Sequence, residues 1–299
     1  MSEIGTMAQI KGRADSDAGV YKKNRLTFDK YLVGDIFGLL GVFVIFIIPF
    51  IFIVMNSLKS RAEANLLNIA PPSEILWESF YDVFTAHNFQ VLTAFKNSLM
   101  LVAGGVTVLI LVGSMAGYVI QRRKDKKVGF FNMILLIGLM VPPAIMPTIW
   151  VLERLQLFRT LPGIILVQVA LLLPFTTMLY RGFMSSIPVE LEEAGYIDGC
   201  SKKRIFFSII FPLLKPITAT VAILTSVNIF NDFANPLFFF PGGKNVTVQL
   251  TLFNHIGQWH VYYNVMFANV LIITVPMLVL FIFFNKRIVA GMVSGSVKG

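Results

Sequence analysis

Six long apolar runs dominate the chain, and no soluble core has an obvious use for them. They cover about Ile36–Met55, Asn97–Ile120, Phe130–Leu152, Gly163–Tyr180, Ile217–Phe230 (extended on both sides) and Val265–Phe284, and none contains an Asp, Glu, Lys or Arg. A bilayer core asks for roughly 20 apolar residues per helix. Only 14% of the 299 residues are charged, against about 25% in an ordinary soluble protein. These runs predict an all-α integral membrane protein with six transmembrane helices. The first run begins late and is long enough to span, which predicts an uncleaved helix rather than a secretory signal.

The net charge of +9 is explained by membrane topology and gives no reason to invoke nucleic acid. With the N-terminus inside, 19 of the 25 basic residues fall in segments facing the cytoplasm, including the loop Arg122–Lys127. Basic residues favour cytoplasmic loops, so both termini are expected in the cytoplasm. The expected organisation is a tail over 1–35, a membrane domain over 36–287 containing an inner loop at 185–212, and a second tail over 288–299. Pro142, Pro143 and Pro147 predict a broken third span. Gly113 and Gly117 are spaced for close helix approach. Ile75–Tyr81 is amphipathic, and its aromatic residues suit a short helix at the outer interface.

Much chemistry is missing. There is no G-x-x-x-x-G-K-[ST] phosphate loop, no H-E-x-x-H and no G-x-S-x-G. Cys200 is the sole cysteine, so no internal disulfide is possible. His255 and His260 are poorly spaced for a helix face, and no metal site is predicted. The runs lack the buried carboxylates that proton-coupled carriers use; Asp232 lies at the outer end of the fifth. Energy for uphill transport is therefore expected from another polypeptide, so this chain is read as a transport subunit and not an enzyme.

The inner loop carries the strongest signal. Pro188 suits a first helical turn, and Glu190, Glu192 and Glu193 favour the positive helix N-terminus. Gly199 is a candidate C-cap, and Ser201 can cap a following helix. Leu191, Ala194, Gly195 and Asp198 are expected on one face with a small centre that admits another protein. The loop resembles the E-A-A motif of ABC importer permeases, E-A-A-x3-G-x9-I-x-L-P. Glu193, Ala194, Gly199, Ile209 and Pro212 match at the family spacing, while Gly195 replaces the second Ala and Phe211 the Leu. The flanking residues and the tail Val293–Gly299 resemble the smaller permease subunit of maltose-type importers.

The resemblance implies a type I importer permease fold and a defined set of partners. These are a second permease subunit, an ABC ATPase dimer carrying ATP and Mg, and an extracytoplasmic solute-binding protein, all at the bacterial cytoplasmic membrane with lipid around them. No cofactor is expected on this chain itself. Glu190, Glu193, Ala194, Gly195, Asp198, Gly199, Ile209 and Pro212 would form the ATPase-coupling set. Ser296, Val297, Lys298 and Gly299 would contact the ATPase from the tail. Gln168, Asn228, Asn231 and Asp232 are candidates for the solute path, with a sugar or oligosaccharide as cargo. A permease for a non-sugar solute and a self-contained secondary carrier are the alternatives.

Overall fold

The computed structural model describes residues 32–255 and 261–296. It divides into two units, Met1–Met55 and Asn56–Gly299. The first unit contributes most of α1 (Gly34–Ser57), whose 24 residues rise about 36 Å, enough to cross a ~30 Å hydrocarbon core. Its turn at Phe43–Ile47 is π-helical. The Pro49 ring crowds the carbonyl of Ile45, and a widened turn relieves that clash.

In the second unit, α2 runs over Glu78–Arg122 but is interrupted at Ala86–Phe89, where His87, Asn88 and Phe89 adopt φ of 50°, 55° and 59°. The interfacial helix expected over Ile75–Tyr81 therefore starts at Glu78 and ends at this left-handed turn. Then come α3 (Lys126–Met140) and α4 (Ile145–Arg154). They divide the third predicted span, because Pro142 and Pro143 cannot continue a helix. Next is α5 (Leu161–Met184), whose N-cap Thr160 Oγ1 accepts from Gly163 N at 3.2 Å. The inner loop holds α6 (Glu190–Ile197). Two helices follow, α7 (Lys202–Leu213) and α8 (Lys215–Asn231), bent by 75° at their junction. Pro212 and Pro216 flank that bend. The last helix, α9 (Tyr263–Ser296), continues through the region expected to be a tail.

Every predicted run thus falls on helical backbone apart from the break at Val141–Ala144. Three described helices, α1, α2 and α5, are long and apolar enough to cross a membrane, and α7–α8 makes a fourth if the bent pair is one span. Helix α9 carries the sixth apolar run, Val265–Phe284. Residues 1–31, His260, and Val297, Lys298 and Gly299 lie outside the described residues, as does the side chain of His255.

The most extensive helix pair is α2 with α5, and glycine permits it. A Cβ on Gly113 would stand 2.6 Å from Thr176 Cγ2, and one on Gly117 would stand 3.0 Å from the backbone N of Arg181. The G-x-x-x-G pair therefore marks a close helix contact, against side chains at Gly113 and against backbone at Gly117. Helices α8 and α9 pack against α2 as well. One apolar cluster, containing Leu101, Leu109, Ile164 and Ile229, joins α2, α5 and α8. Another, with Tyr180, Met184, Ile205, Ile210 and Leu214, fills the base on which α6 rests.

Candidate functional site

Helix α6 is short, and its ends are set by its own sequence. Gly199 adopts φ +75°, a region where only glycine avoids a Cβ penalty. Cys200 N donates to Gly195 O at 2.9 Å and Gly199 N to Tyr196 O at 3.1 Å, the paired closure of a Schellman stop. Ser201 Oγ then accepts from Arg204 N at 3.4 Å to open α7. Both predicted caps are present.

The two faces of α6 differ sharply. Glu192 and Gly195, one turn apart, are buried. Glu192 is 5% exposed; its Oε1 accepts from Arg122 Nε at 2.6 Å and its Oε2 from the Tyr118 hydroxyl at 2.7 Å. Arg122 Nη2 also donates to Ile187 O at 2.8 Å, just before the helix. Two side chains from the end of α2 thus hold α6 by a charge-assisted clamp. Beside it, a Cβ on Gly195 would lie 2.9 Å from Ile209 Cδ1 and 3.2 Å from Ile205 Cγ1. Gly195 and Ile209, separated along the motif, therefore meet inside the protein, on the π-helical stretch Ile205–Ile210.

The opposite face is uncovered by the described residues. Glu190, Glu193, Ala194 and Ile197 are exposed, at i, i+3, i+4 and i+7, which is one helical stripe. Ile197 is 87% exposed. Asp198, Gly199 and Pro212 are exposed too. The expected face of Leu191, Ala194, Gly195 and Asp198 is therefore split. Gly195 turns inward and admits Ile205 and Ile209, whereas the other three stay outside. Sequence reasoning misses the clamp: the local pattern groups Glu192 with its acidic neighbours and Arg122 with the basic loop. The available signal was the spacing of Tyr118 and Arg122, four residues apart on one face at the end of an uncharged span.

The four candidates for the solute path do not form one group. Gln168 is 1% exposed, and its Nε2 donates to Asp232 Oδ2. Asn235 donates to the same carboxylate from Nδ2 at 2.7 Å and from its backbone N at 3.2 Å. This pair ties α5 to the end of α8. Asn228 and Asn231 are exposed on α8, and Asn231 Oδ1 accepts from Gln249 Nε2 at 3.2 Å. Asn231, Gln249 and Thr274 stand at a cavity of about 380 Å³ whose other walls are apolar, among them Val227 and Ile273. No group of three or more metal-ligating side chains exists among the described residues.

Long apolar helices, with a small helix clamped on one face and exposed among the described residues on the other, define an all-helical membrane protein. Residues 109–293 match the family described as the binding-protein-dependent transport system inner membrane component, and the chain belongs to that family, as an ABC transporter permease subunit. It is 32% identical to the melibiose/raffinose/stachyose import permease protein MelC of Bacillus subtilis, over 84% of this chain and 91% of that protein. It is 31% identical to the arabinooligosaccharides transport system permease protein AraQ of Halalkalibacterium halodurans, over 85% of this chain and 91% of that one. The fold is also that of a chain in the crystal structure of a bacterial ABC transporter involved in import of the acidic polysaccharide alginate. The TM-score is 0.71 at 18% identity, covering 92% of this chain and 97% of the other.

Proposed function

We propose that this chain is one of two permease subunits of an importer that moves a sugar or oligosaccharide across the bacterial cytoplasmic membrane, with both termini in the cytoplasm. The cargo class is supported by the relatives, several of which are named for oligosaccharide import. Cargo would arrive from an extracytoplasmic solute-binding protein. Energy would enter through an ABC ATPase dimer that holds ATP and Mg.

The observation that carries the mechanism is the two-sidedness of α6. Its inner face is fixed to α2 through Glu192, Arg122 and Tyr118, while Glu190, Glu193, Ala194 and Ile197 remain open. A partner gripping the open stripe would displace α6 together with the end of α2, because the clamp leaves no slack between them. ATP and loaded binding protein would then favour one state of a two-state pore. Asp198, Gly199 and Pro212 would rim the ATPase contact, and Ser296, Val297, Lys298 and Gly299 would add a second one. Gly195 and Ile209 would act from inside, setting how α6 sits on α7. Asn228 and Asn231 would face the solute path. Gln168 and Asp232 would hold its wall.

Glu193→Lys tests the coupling role. The variant is expected to insert and assemble its helices normally, yet to lose solute uptake and ATPase stimulation by loaded binding protein. Normal uptake by this variant would overturn the role of the stripe. For the cargo, uptake of labelled oligosaccharides should disappear on deleting this chain while uptake of amino acids and peptides persists; the reverse pattern removes the sugar reading.

A further inference from the structure

The basic loop Arg122–Lys127 accounts for topology in sequence terms, but its structural surroundings ask for more. Helices α2 and α3 meet there at a groove of about 980 Å³. Its walls are apolar and include Val112, Met115, Val119 and Phe131, all exposed. Its mouth is basic, carrying Arg123, Lys126 and Lys127. A polar cavity of about 300 Å³ adjoins it and shares Ile120, Arg123, Asp125 and Val128. Lys124, Arg181, Gln121 and Asn132 line that second space.

Charge is badly unbalanced at this mouth. Five cations, Arg123, Lys124, Lys126, Lys127 and Arg181, surround one carboxylate, Asp125. Asp125 is already engaged: it caps α3 by accepting from Val128 N at 3.0 Å and lies 3.9 Å from Arg123 Nε. Arg181 is half-buried, and its recorded acceptors are both neutral, Asn132 Oδ1 at 3.0 Å from Nη1 and Gln121 Oε1 at 3.4 Å from Nε. A partly buried guanidinium with neutral partners favours an added anion.

The dimensions suit an anion with a long apolar body. From Val112 to Arg123 is about 16 Å of helix rise, close to one leaflet of a ~30 Å hydrocarbon core. A small free anion would use the polar cavity and leave the apolar groove unfilled. A neutral lipid would fill the groove and leave the cations unanswered. We propose that the α2–α3 groove and its adjoining polar cavity bind one anionic phospholipid, with phosphate and headgroup among Arg123, Lys124 and Arg181 and an acyl chain along Val112, Met115, Val119 and Phe131. The inference requires that this end of α2 meet a bilayer surface, and it holds whatever the transported solute.

The test uses the complete purified transporter, stripped of lipid and titrated with phosphatidylglycerol or phosphatidylcholine while bound lipid is counted by native mass spectrometry. At least a tenfold preference for phosphatidylglycerol is expected at one site. The triple variant Lys124→Gln, Lys126→Gln, Lys127→Gln should lose most of that preference, whereas Lys202→Gln with Lys203→Gln, on α7, should keep it. Arg181→Gln should lower it further; because Arg181 also joins three helices, the lysine variant carries the test if Arg181→Gln fails to fold. Position is read from a fluorophore on Phe131→Cys in a Cys200→Ser background, quenched by brominated phosphatidylglycerol severalfold more than by brominated phosphatidylcholine. Equal affinity for the two lipids, displacement of the lipid by millimolar inorganic phosphate, or no quenching in the assembled transporter because a second subunit covers the groove would each overturn the proposal.

Discussion

Two carboxylates near opposite ends of α5 are held in contrasting ways. Glu192, at the inner loop, takes its hydrogen bonds from the Arg122 guanidinium and the Tyr118 phenol. Asp232, at the end of α8, takes them from the Gln168 amide, the Asn235 amide and the Asn235 backbone. The first charge is cancelled by an opposite one; the second is solvated by dipoles and keeps its sign, with no cation paired to it among the described residues. An ion pair with 14% and 6% of its side-chain surfaces exposed resists separation, since parting it leaves a buried charge without a partner. Amides can exchange partners at far lower cost. The Glu192 contact is thus costly to part, whereas the amide-held Asp232 tolerates rearrangement.

The most severe challenge to this contrast is Arg122→Ala. It strands Glu192 and frees Ile187 O, so a loss of about 3–5 kcal/mol is expected, read as a large drop in the thermal midpoint of the solubilised protein. Replacing both partners with Met should recover much of that loss, because no buried charge then remains. A double-mutant cycle with near-zero coupling would show that the clamp is decorative, and the distinction between the two ends would fall.

Why the inner clamp was invisible in the sequence while its helix was not follows from distance along the chain. The limits of α6 depend on neighbours: acidic residues in the first turn, Gly199 at the stop and Ser201 at the restart, all within a dozen positions. The break between α3 and α4 likewise follows from adjacent prolines, and the approach of α2 to α5 from Gly113 and Gly117. The partners of Glu192, by contrast, lie 70 and 74 residues upstream. Three glutamates close together offer no local reason to choose the middle one. Helix periodicity groups Gly195 with Ala194 on one face and does not tell which of the two turns to the protein, because Ile205 and Ile209 reach Gly195 through a π-helical stretch whose register differs from the 3.6-residue repeat. For the solute path, side-chain polarity alone does not separate Gln168, which is buried as a strut, from Asn228, which is exposed.

A smaller effect is expected at Asp232. Asp232→Asn preserves shape but places an NH2 group where a carboxylate oxygen now accepts. In its less costly orientation the NH2 group replaces Oδ1 and faces the Asn235 backbone N–H; in the other it faces both the Gln168 and the Asn235 side-chain donors. The cost should be about 1–3 kcal/mol, that of one buried polar group left unmatched, and Gln168→Glu combined with Asp232→Asn should not restore stability to the extent that the paired Met variant does at Glu192. A loss at Asp232→Asn as large as that at Arg122→Ala would mean that the amide-held carboxylate is as rigidly required as the ion-paired one.

The least effect is expected one residue from the clamped carboxylate. Glu193 neighbours Glu192 on the same helix and carries the same charge, but a 100° turn puts it outside, with no salt bridge among the described residues. Surface substitutions away from special features shift stability by no more than about 0.5 kcal/mol, and Glu193 gives only a modest favourable interaction with the helix N-terminus. Glu193→Gln should therefore leave the thermal midpoint almost unchanged, whereas Glu192→Gln should lower it measurably by leaving Arg122 facing a neutral amide. The same pair measured in the assembled transporter should reverse in one respect: Glu193→Gln should weaken retention of the ATPase during purification, although the isolated chain is unaffected. If Glu193→Gln destabilises the isolated chain as much as Glu192→Gln does, α6 has no free face, and its outer stripe is occupied by this chain rather than kept for a partner.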